Sequence, residues 1–164
     1  MADKILVTGA TGNVGSGLIP ELTAKGASVR ALVRDATKAQ GLRDQGVEVI
    51  IGDLDKPETL DVAFIGVDKV FLLTPPNPNQ VTQARNGIAA AKRAGVPYIV
   101  RMSARAFKTA PDSPPRVTRQ HAEIDADLKA SGLAYTILQP HNFMQEHAVS
   151  GADRRIRRCR VHAA

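Results

Sequence analysis

Short apolar runs alternate with helix-spaced apolar stripes along most of the chain. Lys4–Thr8 (KILVT) is an apolar run that stops at Gly9, which predicts a buried strand. From Asn13 to Lys25, Val14, Leu18 and Leu22 recur every fourth position, the stripe of a helix lying on a sheet, and Gly26 supplies its stop. A second strand is predicted over Ser28–Val33. A short helix capped by Asp35 follows and reaches Leu42, then Gly46 breaks the chain before a third strand, Val47–Ile51. Lys56-Pro57-Glu58 opens a helix toward Phe64, and Lys69–Leu73 is a fourth strand stopped by Thr74-Pro75-Pro76. A long Ala-rich helix over Asn79–Ala94 ends at Gly95, and Tyr98–Met102 is a fifth strand. Pro111–Pro115 reads as a loop, Arg116–Ala130 as a helix ended by Ser131-Gly132, and Ala134–Leu138 as a sixth strand.

Strands that alternate with helices in this way form parallel βαβ units, and right-handed crossovers put helices on both faces of one sheet. The expected fold class is α/β: a doubly wound, Rossmann-type parallel sheet with strand order 3-2-1-4-5-6. Residues 1–150 are expected to form one dinucleotide-binding domain. The composition changes near Gly151, so residues 151–164 are expected to be an Arg-rich tail, disordered or partly helical.

Composition narrows the classes. A chain of 164 residues that is 43% hydrophobic and 23% charged suits a single globular domain and argues against disorder. No apolar run is long enough for a membrane span or a secretory signal. The lone Cys159 leaves no disulfide framework or cysteine-rich zinc site, and no metal is expected from the four histidines. A cytoplasmic location is the default expectation. The net charge of +6 points toward nucleic acid only until the tail is examined. Asp153–Arg160 (DRRIRRCR) carries +4 of it, leaving +2 on the rest. With no Trp, four Phe and two Tyr there is no base-stacking platform, and no nucleic-acid partner is expected.

The most informative segment is VTGATGNVGSGL, residues 7–18, in which Gly9, Gly12 and Gly15 stand three apart between the first strand and the first helix. Gly9 permits the sharp turn, Gly12 lets the backbone approach a pyrophosphate, and Gly15 lets the helix pack closely. The helix N-terminus then offers free N–H groups to phosphate. A nicotinamide dinucleotide is the expected ligand. Its identity turns on Arg34, which stands where NAD readers carry a carboxylate. A guanidinium suits a 2′-phosphate, so NADPH is the expected cofactor, with NADH as the alternative. Asp35 has two readings, acceptor for the ribose hydroxyl or cap of the next helix, and we expect the second. Asp53 and Leu54 follow the third strand, where a carboxylate could accept from an adenine amino group and a leucine could wall the ring; Asp53 could equally begin a turn. Thr74, Pro75 and Ser103 are site candidates by their place at the carboxyl edge of the sheet.

The segments KILVTGATGNVGSGL, ALVRDATKAQGL, GVEVIIGDLDKPETL and GLAYTILQPHNFMQE resemble the NmrA-like family of atypical short-chain dehydrogenases. That family includes redox sensors, NADPH-dependent quinone reductases and dye reductases. The resemblance implies cofactor contacts at Gly9, Thr11, Gly12, Asn13, Val14 and Gly15, with Arg34 at the 2′-phosphate. It also implies Asp53 and Leu54 near adenine, Thr74 and Pro75 beside the ribose, and Pro140, His141, Asn142 and Phe143 passing near the nicotinamide. It places His121 on a helix bordering the active site, which makes His121 and Ser103 candidates for a catalytic role; no catalytic residue is otherwise assigned.

Two departures bear on function. The Tyr-x-x-x-Lys pair is missing: Met102 follows Tyr98 at the fourth place and Gln139 follows Tyr135. Hydride transfer to an electron-poor quinone or dye could proceed without it, because the cofactor carries the chemistry. Family members also continue into a smaller substrate-binding lobe, where this sequence has SGADRRIRRCRVHAA. A small-molecule substrate, such as a quinone, and a homodimer covering the open crevice are therefore the expected partners. The alternative is a redox sensor acting through a protein partner.

Overall fold

The computed structural model describes residues 2–104 and 116–140, together with the backbone of 160–163. Strands β1 (Lys4–Val7), β2 (Ser28–Val33), β3 (Glu48–Ile51), β4 (Lys69–Leu72), β5 (Tyr98–Met102) and β6 (Ala134–Gln139) form one parallel sheet in the order β3-β2-β1-β4-β5-β6. This is the expected Rossmann-type order. A further strand, β7 (Arg160–Ala163), extends the sheet antiparallel to β6, pairing Arg160 with Gln139 and Ala163 with Thr136. The tail reading had no such strand. The proline-rich loop and His141, Asn142 and Phe143 lie outside the described residues.

Among the described residues, five α-helices connect the parallel strands: α1 (Asn13–Ala24), α2 (Gln40–Arg43), α3 (Asp61–Phe64), α4 (Gln80–Arg93) and α5 (Arg116–Ala130). Successive strand residues point to opposite faces, so each strand feeds two cores. Leu6, Leu32, Val70, Leu72 and Ile99 pack with α3, α4 and α5, while Val7, Ala31, Val33 and Phe71 pack with α1 and α2. Helices α1 and α4 end before Gly26 and Gly95, both at positive φ (81° and 67°), a conformation that other residues adopt only at a cost.

Two predicted helices are shorter than expected. The segment from Asp35 to Leu42 divides into a 3-10 turn at Ala36–Lys38 and the short α2. Asp35 Oδ1 accepts from both the amide and the hydroxyl of Thr37, at 2.9 and 2.7 Å, which tightens the first turn. Likewise Pro57–Thr59 is a 3-10 turn ahead of α3. The Thr59 hydroxyl donates to Lys56 O at 2.7 Å and accepts the Asp53 amide at 2.9 Å, so it serves the turn rather than a longer helix.

The strand order reverses between β1 and β4, and the carboxyl ends of those strands flank a crevice. In open α/β sheets this is where ligands bind.

Candidate functional site

The crevice is built outward from the glycine turn. Gly9 has φ of 65°, the left-handed conformation that favours glycine, and a Cβ there would lie 2.3 Å from Leu73 Cδ2, the end of a side chain that would have to move aside. Gly12 closes the turn by donating its amide to Gly9 O at 3.0 Å and then caps α1 with no side chain of its own. A Cβ on Gly12 would meet only Gly9 O, at 3.4 Å, an ordinary contact. Protein packing therefore does not require that glycine; its missing side chain leaves space on the crevice side. Gly15 differs from the expectation in detail. A Cβ there would lie 2.3 Å from Gly9 O and 2.6 Å from Ala10 Cα, so Gly15 seats α1 against the turn itself rather than against the sheet.

The first hydrogen bond within α1 runs from Ser16 N–H to Gly12 O. The amides of Asn13, Val14 and Gly15 precede it and have no acceptor inside the helix. No side chain caps this end and its first turn holds no acidic residue, so nothing built into α1 opposes an anion there.

Gly9, Thr11, Gly12, Arg34, Asp53, Leu54 and Pro75 meet around one cavity, together with residues that sequence reasoning did not single out, among them Leu32, Gly52, Leu73 and Gln83. Its volume is about 210 Å3, short of the ~300–1,000 Å3 of a complete small-molecule site. It has room for one end of a dinucleotide. Arg34 is exposed on the rim, with no ion-pair partner among the described residues. Asp35 caps the following turn as expected, so of these two neighbours it is Arg34 that lines the cavity. Asp53 Oδ1 accepts the Asp55 amide at 3.0 Å, an Asx turn that fixes the carboxylate at the cavity wall.

Other predicted residues lie elsewhere. Asn13 is exposed, and Val14 packs part of its side chain into the core beneath α1, so neither side chain lines the cavity. Thr74 is turned inward and buried; its carbonyl accepts from Gln80 Nε2 at 3.2 Å, whereas its neighbour Pro75 reaches the cavity. Pro140 follows β6 and does not line the cavity.

Ser103 and His121 belong to a second group, a buried polar cluster beside the carboxyl edge of β5. At its centre Arg101, fully buried, stands 3.0 Å from Asp125 Oδ1 as an ion pair, without hydrogen-bond alignment. Arg101 Nη1 donates to Met102 O at 2.8 Å, and Nη2 lies 3.0 Å from His121 Nδ1. Ser103 Oγ donates to Asp125 Oδ2 at 2.7 Å, and Gln139 Nε2 donates to the same oxygen at 3.3 Å. Arginine has donors only, so Nδ1 of His121 must accept and the ring proton is assigned to Nε2. Burial, and then the Arg101 charge, push the His121 pKa down from 6.5 to about 4 against the opposing pull of Asp125. Burial also lowers the Arg101 pKa, with Asp125 resisting. His121 is thus a neutral imidazole near pH 7. Sequence reasoning missed Arg101 and Asp125: an Arg inside an apolar strand gives no sign that it is buried until its counter-charge on α5 is placed beside it.

The tyrosines do not supply a proton donor at this edge. Tyr98 starts β5, at the opposite end of the sheet, and its hydroxyl is 2.6 Å from Thr136 Oγ1.

A glycine turn at the switch point, an uncapped helix end and an arginine on the rim define a Rossmann-type dinucleotide-binding protein. The chain belongs to the NAD(P)H-binding family, whose profile matches residues 9–157. It is 44% identical over 141 residues to an NAD(P)H azoreductase of Xenophilus azovorans, covering 86% of this chain and 49% of that protein. It superimposes on the NADPH complex of an NADPH-dependent quinone oxidoreductase from Escherichia coli with a TM-score of 0.79 and 34% identity, covering 89% of this chain and 52% of the other. Triphenylmethane reductase of Citrobacter sp., complexed with NADP(H), gives a TM-score of 0.78 at 33% identity, covering 90% and 54%. The chain spans about half the length of the relatives it matches.

Proposed function

We propose that this chain is the dinucleotide-binding part of an NADPH-dependent reductase acting on a quinone or a similar electron-poor aromatic. The observation that carries the reading is Arg34, exposed on the cavity rim while Asp35 is engaged in capping the next turn. Arg34 holds the 2′-phosphate through charge-assisted hydrogen bonds. The free amides at the start of α1 take the pyrophosphate, and Asp53 and Leu54 receive the adenine. When bound, NADPH supplies the hydride. The named activities of the azoreductase, quinone oxidoreductase and triphenylmethane reductase relatives support the acceptor class.

Residues 1–150 form the binding domain in this reading, and 151–164 the tail from which β7 is drawn. Val100, Met102 and Leu138 keep part of their apolar surface exposed on the α1 side of β5 and β6, a face that a second copy of the chain would cover. A cytoplasmic location completes the reading.

The test is a calorimetric titration with NADPH, NADP⁺ and NADH in parallel, followed by a turnover assay with quinones. Micromolar binding that favours NADPH, with quinone-dependent oxidation of it, is the expected result. Absence of turnover at saturating protein rules out the reductase. A second reading, a redox sensor, draws on the lack of a phenol at the carboxyl edge of β5 among the described residues. It requires unequal affinity for NADPH and NADP⁺, because equal binding shifts no conformational equilibrium.

A further inference from the structure

The turn after β3 is held in place from outside. Gln83 Nε2 donates to Asp55 Oδ2 at 2.7 Å, and Asn86 Nδ2 donates to Leu54 O at 2.7 Å. Gly87 lets Leu54 approach: a Cβ there would lie 3.4 Å from Leu54 Cδ2 and 3.0 Å from Leu72 Cδ1. Positions 83, 86 and 87 share one face of α4, so a single helix face grips two successive residues of the turn, Leu54 and Asp55. On the other side, Asn77 Nδ2 donates to Gln83 Oε1 and to Pro75 O, both at 3.1 Å. A continuous chain of hydrogen bonds therefore joins the β3 turn to the β4 turn through Gln83, and both turns wall the same cavity.

Gln83 is 4% exposed, and its oxygen and nitrogen are both engaged. Its partner Asp55 is the residue whose amide orients the Asp53 carboxylate, at 3.0 Å. Gln83 therefore acts on Asp53 through one intermediary. From this geometry we infer that Gln83 is a positioning residue for base recognition: with Asp55 it aims the Asp53 carboxylate at the adenine amino group. The inference rests on the dinucleotide reading above. It assigns selectivity for the base to α4, separately from the selectivity for the 2′-phosphate that Arg34 provides.

The experiment compares wild type with Gln83→Ala, Asp55→Ala, the double variant and Asp55→Asn. Each is titrated with adenosine 2′,5′-bisphosphate, NADPH, NADH and nicotinamide hypoxanthine dinucleotide phosphate, which lacks the amino group; thermal melts verify folding. Gln83→Ala and Asp55→Ala each weaken adenosine 2′,5′-bisphosphate binding about tenfold and reduce the preference for adenine over hypoxanthine by a similar factor. The double variant is no worse than either single one, because both break one linkage. Asp55→Asn, which keeps an acceptor for Gln83, recovers part of the preference. The NADPH-to-NADH ratio stays constant in Gln83→Ala. Folded variants that keep the base preference, lose affinity for both bases equally, or show additive losses overturn the inference alone. A wild type that binds none of these probes overturns the dinucleotide reading and this inference with it.

Discussion

In the proposed function Arg34 is the residue on which the cofactor choice depends. A hydrogen bond to a charged partner contributes about 1.5–3 kcal/mol, and about 1.4 kcal/mol is tenfold in affinity. Arg34→Ala should therefore lower the NADPH-to-NADH affinity ratio by roughly ten- to a hundredfold, measured by parallel calorimetric titrations; an unchanged ratio would remove Arg34 from the phosphate site. The missing side chain of Gly15 serves the fold. Gly15→Ala forces a methyl group against Gly9 O and Ala10 Cα and should destabilise the protein by about 1–3 kcal/mol, seen as a lower midpoint in urea unfolding. Gly12→Ala meets no such clash. It should leave stability nearly unchanged while weakening NADPH binding, and a loss of stability matching that of Gly15→Ala would assign Gly12 to packing. These roles were only partly readable in the sequence. The spacing of the three glycines marked a nucleotide turn, but which glycine is demanded by packing depends on atoms that the fold brings up from Leu73 and Ala10.

At the level of elements, β5 and α5 are joined by polar groups as well as apolar ones. Ile124 and Leu128 on α5 are fully buried in the same core as Ile99 of β5. Alongside them Arg101 and Asp125 form a buried ion pair, and removing one member of such a pair leaves a charge without compensation. Asp125→Asn should cost about 3–5 kcal/mol, measured by chemical unfolding. The exposed pairs between α4 and α5, Arg85 with Glu123 and Asp127, should contribute far less, since solvent screens them. The apolar stripe and length of α5 were legible from sequence. The polar cluster was not, because it needs β5, α5 and β6 together: Ser103 just past β5 and Gln139 of β6 meet at the carboxylate of Asp125 on α5. Short elements misled the reading in a consistent way. At Asp35–Leu42 and Lys56–Phe64 a side-chain hydroxyl or carboxylate competes for backbone partners, so the first turn tightens and the helix shortens.

For the whole molecule, acid should act through His121 first. Its folded pKa of about 4 lies below the ordinary 6.5, so the unfolded chain binds more protons between those values. Stability contributed by the neutral ring is complete above about pH 6.5 and declines as the pH falls toward 4. Glu48 follows: Arg30 holds its carboxyl below the ordinary 4.5, so its contribution is lost only at lower pH. Unfolding free energies measured from pH 7 to 4 should fall over that window, and His121→Gln should flatten the fall; an unchanged slope would show that the ring does not titrate as its burial requires. Alternation of apolar runs and helical stripes determined the parallel sheet and its order, because each strand must bury two faces and right-handed crossovers leave few ways to do so. The glycine spacing marked the class of ligand, because turn chemistry is a property of local sequence. The tertiary structure alone decided that Gln83 lines the cavity and donates to Asp55, that Ser103 and His121 join a buried ion pair rather than line it, and that Arg160–Ala163 pair with β6. Each of those facts joins residues far apart in the chain, and a hydrogen bond between distant segments leaves no periodic trace in either one.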